Sequence, residues 1–94
     1  MKLSAVMQVS VAPDVLIREV AGESVIFNLS SERYFGLDEV GTRIWVALTA
    51  SESIQAAYEV LLTEYDVDPD RLRQDLQDLI RQLIERGLVQ VTDG

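Results

Sequence analysis

"RYFGLDEVGTRIW", Arg33 to Trp45, decides how the rest of the chain is read. Its first five residues form a short aromatic strand, and Asp38 then opens a helix with almost no loop between the two. Asp is a favoured N-cap, and the Glu39 carboxylate complements the positive end of a helix dipole. Leu37, Val40, Ile44 and Leu48 recur at steps of three, four and four, which puts them on one helix face directed to the core. Gly41 within this helix costs up to about 1 kcal/mol relative to Ala, a cost explained if the backbone of the sheet approaches closely there. The stretch also holds three of the six aromatic residues in a chain with no His and no Cys.

Upstream of Asp38 the apolar residues follow period two. "MQVSVA" sets Met7, Val9 and Val11 on one face, and Pro13 stops the run because it has no amide to donate. "VLIREV" (Val15–Val20) and "SVIFNL" (Ser24–Leu29) are two further strands, joined through "AGE", where Gly22 can take a positive φ. Val25, Phe27 and Leu29 share one face. "SSE" (Ser30–Glu32) turns the chain into "RYFGL", which completes an antiparallel meander of at least three strands.

Downstream the period is helical. Ser51 is the expected cap of a second helix reaching about Tyr65, with Ile54, Ala57, Tyr58, Leu61, Leu62 and Tyr65 on its apolar side. The third helix, Asp70–Gly87, starts with Asp68 as N-cap and Pro69 at N1, where the missing amide does no harm. Leu72, Leu76, Leu79, Ile80, Leu83 and Ile84 form its apolar stripe, and Gly87 suits the C′ position. "LVQV" (Leu88–Val91) either adds a final strand or packs as a tail. Strands followed by three helices make an α+β fold, read here as a single domain over residues 1–94.

Charge excludes one class of partner. Sixteen acids against eight bases give −8, a field that repels phosphate backbones. The third helix alternates Arg71, Arg73, Arg81 and Arg86 with Asp70, Asp75, Asp78 and Glu85, so it lacks the basic face of a DNA-reading helix. Without Cys there is no disulfide framework, which fits a reducing cytoplasm. "MKLSAVMQVSVAP" has no continuous apolar stretch of the kind a signal peptide needs, and no window is long and apolar enough for a membrane span.

Catalysis has little to work with. Absent His and Cys remove the commonest general base, the commonest metal ligand and the thiol nucleophile. Asp66, Asp68 and Asp70 imitate the opening of a calcium loop, but Arg71 and Gln77 stand where that loop requires Gly and Glu, so helix capping explains them. No enzyme activity, metal or cofactor is expected.

What remains is binding by the chain itself. A meander leaves its last strand at an edge, and "RYFGL" carries only Arg33 as a charge to protect that edge. Phe35 and Leu37 share the core face, with Tyr34 on the other. A third helix lying alongside would either cover the edge or form a groove in which a peptide adds a strand.

"VIFNLSSERYFGLDEVGTRIW", then a capped helix, "YDVD" and "LRQDLQDLIRQLIERGLV" together resemble the PqqD-like family, the RiPP recognition elements. The resemblance runs from Val15 to Val91, and "YFGLDEVGTRIW" is its most specific block. It implies a winged-helix-like domain with an N-terminal three-stranded antiparallel sheet followed by three helices. Such domains bind the leader segment of a ribosomally made precursor peptide as an antiparallel strand added to the third strand, against the third helix. Carried over by position, the strand is Arg33, Tyr34, Phe35, Gly36 and Leu37, and the helix face comprises Leu72, Asp75, Leu76, Leu79 and Leu83. The length resembles the free-standing recognition proteins of lasso-peptide pathways, whose partners are a leader peptidase and an ATP-dependent cyclase; PqqD proper partners a radical enzyme. A winged-helix transcription regulator and a small protein-interaction subunit are the alternative readings, the first opposed by the charge.

Overall fold

Four strands precede three helices, and a fifth strand closes the chain: β1 (Met7–Val11), β2 (Val15–Val20), β3 (Glu23–Asn28), β4 (Arg33–Leu37), α1 (Glu39–Ala50), α2 (Ile54–Glu64), α3 (Pro69–Glu85) and β5 (Val89–Asp93). The computed structural model describes residues 6–93, with side chains described to residue 92. The first five residues of the stretch weighed as a targeting signal, and Gly94 at the end of the expected domain, lie outside the described residues.

The expected meander is β2–β3–β4, antiparallel throughout, and the fold is α+β and winged-helix-like. Met7–Val11 does not join it. This strand pairs with β5, from Met7 opposite Asp93 to Val11 opposite Val89, so "LVQV" contributes a strand rather than a tail. Pro13 and the positive φ of Asp14 (61°) turn the chain away from β1 before β2 begins.

Between β2 and β3 the chain reverses through Ala21 and Gly22, both at positive φ (54° and 85°), the two-residue type I′ geometry that matches strand twist. At the other end of the molecule α3 closes on Gly87, φ 71°. The Gly87 N–H donates to Ile84 O at 3.0 Å and the Leu88 N–H to Leu83 O at 2.9 Å, which is the Schellman pattern.

The core unites both sheets with the helices: Val9, Ile26 and Leu37 from the strands, Ile44, Trp45 and Leu48 from α1, Ala57 and Leu61 from α2, Leu72, Leu76, Ile80 and Leu83 from α3, and Leu88 and Val89 after it. Fully burying each Leu or Ile is worth roughly 1.5–3 kcal/mol. β3 meets this core through Ser24, Ile26 and Asn28, while the more apolar alternate set faces outward, Phe27 exposed and Val25 half-buried. Polar groups are tolerated inside because each is satisfied. The Ser24 and Thr42 hydroxyls lie 2.7 Å apart, tying β3 to α1. Asn28 Nδ2 donates to Gly87 O at 2.7 Å, and Asn28 Oδ1 accepts from the Ser30 and Ser31 amides at 2.9 and 3.1 Å.

Three local expectations need correction. Ser51 closes α1; the cap of α2 is Ser53, whose Oγ accepts the Ala56 N–H at 3.0 Å. Val40 is not core but 51% exposed, because α1 turns its inward face to Thr42, Ile44, Trp45, Ala47 and Leu48. Gly41 is not pressed by the sheet backbone. A Cβ there would lie 3.2 Å from Asp38 Oδ1 and 3.2 Å from Leu37 Cδ2, side-chain atoms of the N-cap and of the last residue of β4.

Candidate functional site

Which backbone groups of β4 are free follows from the turn that starts the meander. A two-residue hairpin closes on a hydrogen-bonded pair, here Val20 with Glu23, and such pairs alternate along an antiparallel ladder. They are therefore Val20–Glu23, Arg18–Val25 and Leu16–Phe27, and the next contact in phase is present: the Leu29 N–H donates to Asp14 O at 2.9 Å. Ser24, Ile26 and Asn28 consequently turn their amides and carbonyls the other way, to Leu37, Phe35 and Arg33 of β4. Tyr34 and Gly36 are left with N–H and C=O directed to the far edge, where no strand pairs among the described residues.

That edge borders a groove of about 560 Å³ lined by Glu32, Arg33, Tyr34, Phe35, Gly36 and Arg86. Phe35, half-buried, lies under the Arg86 guanidinium, whose carbon is 5.0 Å from the ring centroid. The Asn28–Gly87 hydrogen bond fixes the end of α3 against the β3–β4 turn and so holds Arg86 beside β4. Tyr34 is 65% exposed on the opposite face of the sheet, where it meets Phe27 directly across the ladder with ring centroids 6.3 Å apart. A Cβ at Gly36 would touch nothing within 4 Å.

The α3 residues expected at this surface divide into two groups. Asp75 is exposed, with the Arg71 Nε 3.7 Å from its Oδ1, and Leu79 is half-buried. Leu76 and Leu83 are 1% and 0% exposed, and Leu72 only 6%. They are held in the core, so Leu76 and Leu83 support the helix from beneath and do not form the surface assigned to them. Leu72 reaches a smaller apolar pocket of about 150 Å³ between α1 and α3, together with Val40, Ile44, Tyr65, Val67, Arg71 and Asp75.

Arg86 and this pocket were not foreseen. In sequence Arg86 is one more base in an alternating charge pattern, and only the docking of Gly87 onto Asn28 makes it part of the β4 groove. Val40 matched the core spacing, which concealed its place on the pocket rim. Asp68 Oδ1 accepts the Asp70 N–H at 2.9 Å, as an N-cap does. Among the described residues no helix is long and apolar enough to cross a membrane.

An open edge strand beside the last helix of a winged-helix-like domain is the architecture of the PqqD-like RiPP recognition elements. The chain belongs to the PqqD family: the family described as Coenzyme PQQ synthesis protein D (PqqD) matches residues 23–89, from β3 to the start of β5. The solved structure "TbiB1 in Complex with the TbiA(beta) Leader Peptide" is similar at 31% identity and a TM-score of 0.80, over 86% of this chain and 94% of that one. No curated protein matches this chain.

Proposed function

We propose that this protein is a non-catalytic adaptor that binds the leader segment of a ribosomally made precursor peptide by strand addition to β4. The observation that carries the reading is the free edge of β4, with Tyr34 and Gly36 unpaired beside a groove, in a fold similar to a protein solved with a leader peptide. Backbone pairing supplies affinity with little demand on sequence, and pockets for alternate side chains supply selectivity. The contacting residues are Arg33, Tyr34, Phe35, Gly36 and Leu37 on the strand, with Asp75 and Leu79 on α3 and Leu72 behind them. The bound leader is presented to a leader peptidase or a modifying enzyme of the same cytoplasmic pathway, in a lasso-peptide setting.

Calorimetric titration with a synthetic leader of the precursor encoded beside this gene tests the reading. Saturable binding in the micromolar range is expected, with none for a scrambled peptide of equal composition. No saturable binding at tens of micromolar refutes it.

A further inference from the structure

We infer that the segment bound along β4 carries a carboxylate side chain at one fixed position, read by Arg33 and Arg86 together. The inference rests on the strand-addition reading and specifies what that site selects. Among the described residues neither Arg33 nor Arg86 has a carboxylate within salt-bridge distance; Arg43, Arg71 and Arg81 each do. Of the other two arginines without one, Arg73 stacks over the Tyr58 ring and Arg18 stands on β2, away from this groove. Two unpaired guanidinium groups therefore line one open groove in a chain of charge −8 with only eight basic residues. Glu32 stands at the rim of the same groove without pairing to either. Arg86 is also oriented by its seat over the Phe35 ring. A planar, permanently charged fork suits a carboxylate better than any other peptide group.

The ladder gives the position. Side chains alternate, so Arg33, Phe35 and Leu37 point to the inner side of the sheet, where Arg86 lies. In an antiparallel added strand, the residues opposite Leu37, Phe35 and Arg33 also point inward and follow one another at every second position. The residue opposite Phe35 meets an aromatic ring and is apolar. The residue opposite Arg33 comes two places later in the peptide and meets both guanidinium groups. The selected pattern is an apolar residue, any residue, then Asp or Glu. At −8 the domain attracts a net cationic segment, so the acid sets the register of the bound strand and is not the source of overall attraction.

The test is selection of random short peptides, displayed upstream of a constant neutral tail so that no free C-terminus is offered, on the immobilised protein. Enrichment of Asp or Glu two places after an apolar residue is the expected result. Peptides enriched without that acid overturn the inference and leave strand addition standing. Enrichment unaffected by Gly36→Pro, or none above bare support, overturns strand addition and the inference with it. A charge exchange gives the second readout. Arg33→Glu with Arg86→Glu should weaken a selected peptide about tenfold, and replacing the peptide's acid by Lys should restore binding. Equal loss for both peptides, with thermal stability unchanged, overturns the inference.

Discussion

Gly36→Pro separates the backbone groups that build the sheet from those left for a partner. The ladder phase assigns Phe35 to β3 and leaves the Gly36 N–H directed at the open edge. Proline at that position removes a donor the folded domain does not use, and edge strands accept Pro when the missing amide faces outward. A side chain there has open space, since a Cβ meets nothing within 4 Å. A bound strand, by contrast, loses one backbone hydrogen bond, worth about 0.5–1.5 kcal/mol net, and has a carbonyl stranded against the proline ring. Together these cost about 1–3 kcal/mol, or about five- to 150-fold in affinity. The assay is fluorescence polarisation with a labelled leader or selected peptide. Melting is followed in parallel by Trp45, the single tryptophan, which is buried. Gly36→Ala should bind like the parent protein, and Phe35→Pro should lower the melting temperature because it removes a ladder bond. The reasoning is refuted if Gly36→Pro binds as tightly as the parent. It is refuted equally if Gly36→Pro unfolds the domain while Phe35→Pro does not, since the ladder would then have the opposite phase.

Further predictions concern what holds the site in place. Ala21→Asn creates Asn-Gly in the type I′ turn and relieves an alanine at φ 54°, so stability should rise by about 0.5–1 kcal/mol, read as a melting shift of several degrees. Gly87→Ala forces a Cβ into the left-handed region, 3.2 Å from Asn28 Nδ2, and should cost about 1–2 kcal/mol in urea unfolding. Ser24→Ala and Thr42→Val should each destabilise by about 1 kcal/mol, and the double variant by clearly less than the sum, because the two hydroxyls satisfy each other at 2.7 Å. Leu83→Ala should cost about 2–5 kcal/mol as a cavity in the core. Asp75→Asn should leave unfolding stability within about 1 kcal/mol of the parent, since Asp75 is exposed with Arg71 beside it.

The elements legible in the sequence are those fixed within a few residues of chain. Asp38, Pro69 and Gly87 announce helix ends because a cap acts over three or four positions. The meander is equally local, each strand pairing with the next. Ser51 was a false signal of the same local kind: it and Ser53 both suit a cap, and only Ser53 bonds the α2 amides. Long-range choices were not legible. Alternation in β3 separates two faces without saying which is inside. The apolar set Val25 and Phe27 faces out because Ser24 and Asn28 find partners in Thr42 and Gly87, 18 and 59 positions away. The pairing of β1 with β5, across the whole chain, left no trace in either segment alone.

The division of the α3 stripe shows why hydrophobic spacing alone does not separate the exposed candidate positions from the buried ones. Six apolar positions satisfied one helical face, but the core takes Leu72, Leu76, Ile80 and Leu83, at steps of four, four and three. Leu79 falls outside that row and stays half-buried, with exposed Asp75 one turn before it. The helix therefore meets the surface along the flank of its apolar stripe, where hydrophobicity alone draws no boundary. Phe35 is in the same position on β4: half-buried, with its ring against the core and its face under Arg86. Side chains at this margin belong both to the core and to the proposed groove, so on the strand-addition reading truncating Phe35 should weaken stability and binding together. Only backbone changes on the free edge, at Tyr34 or Gly36, can separate the two effects, because the sheet does not use those groups.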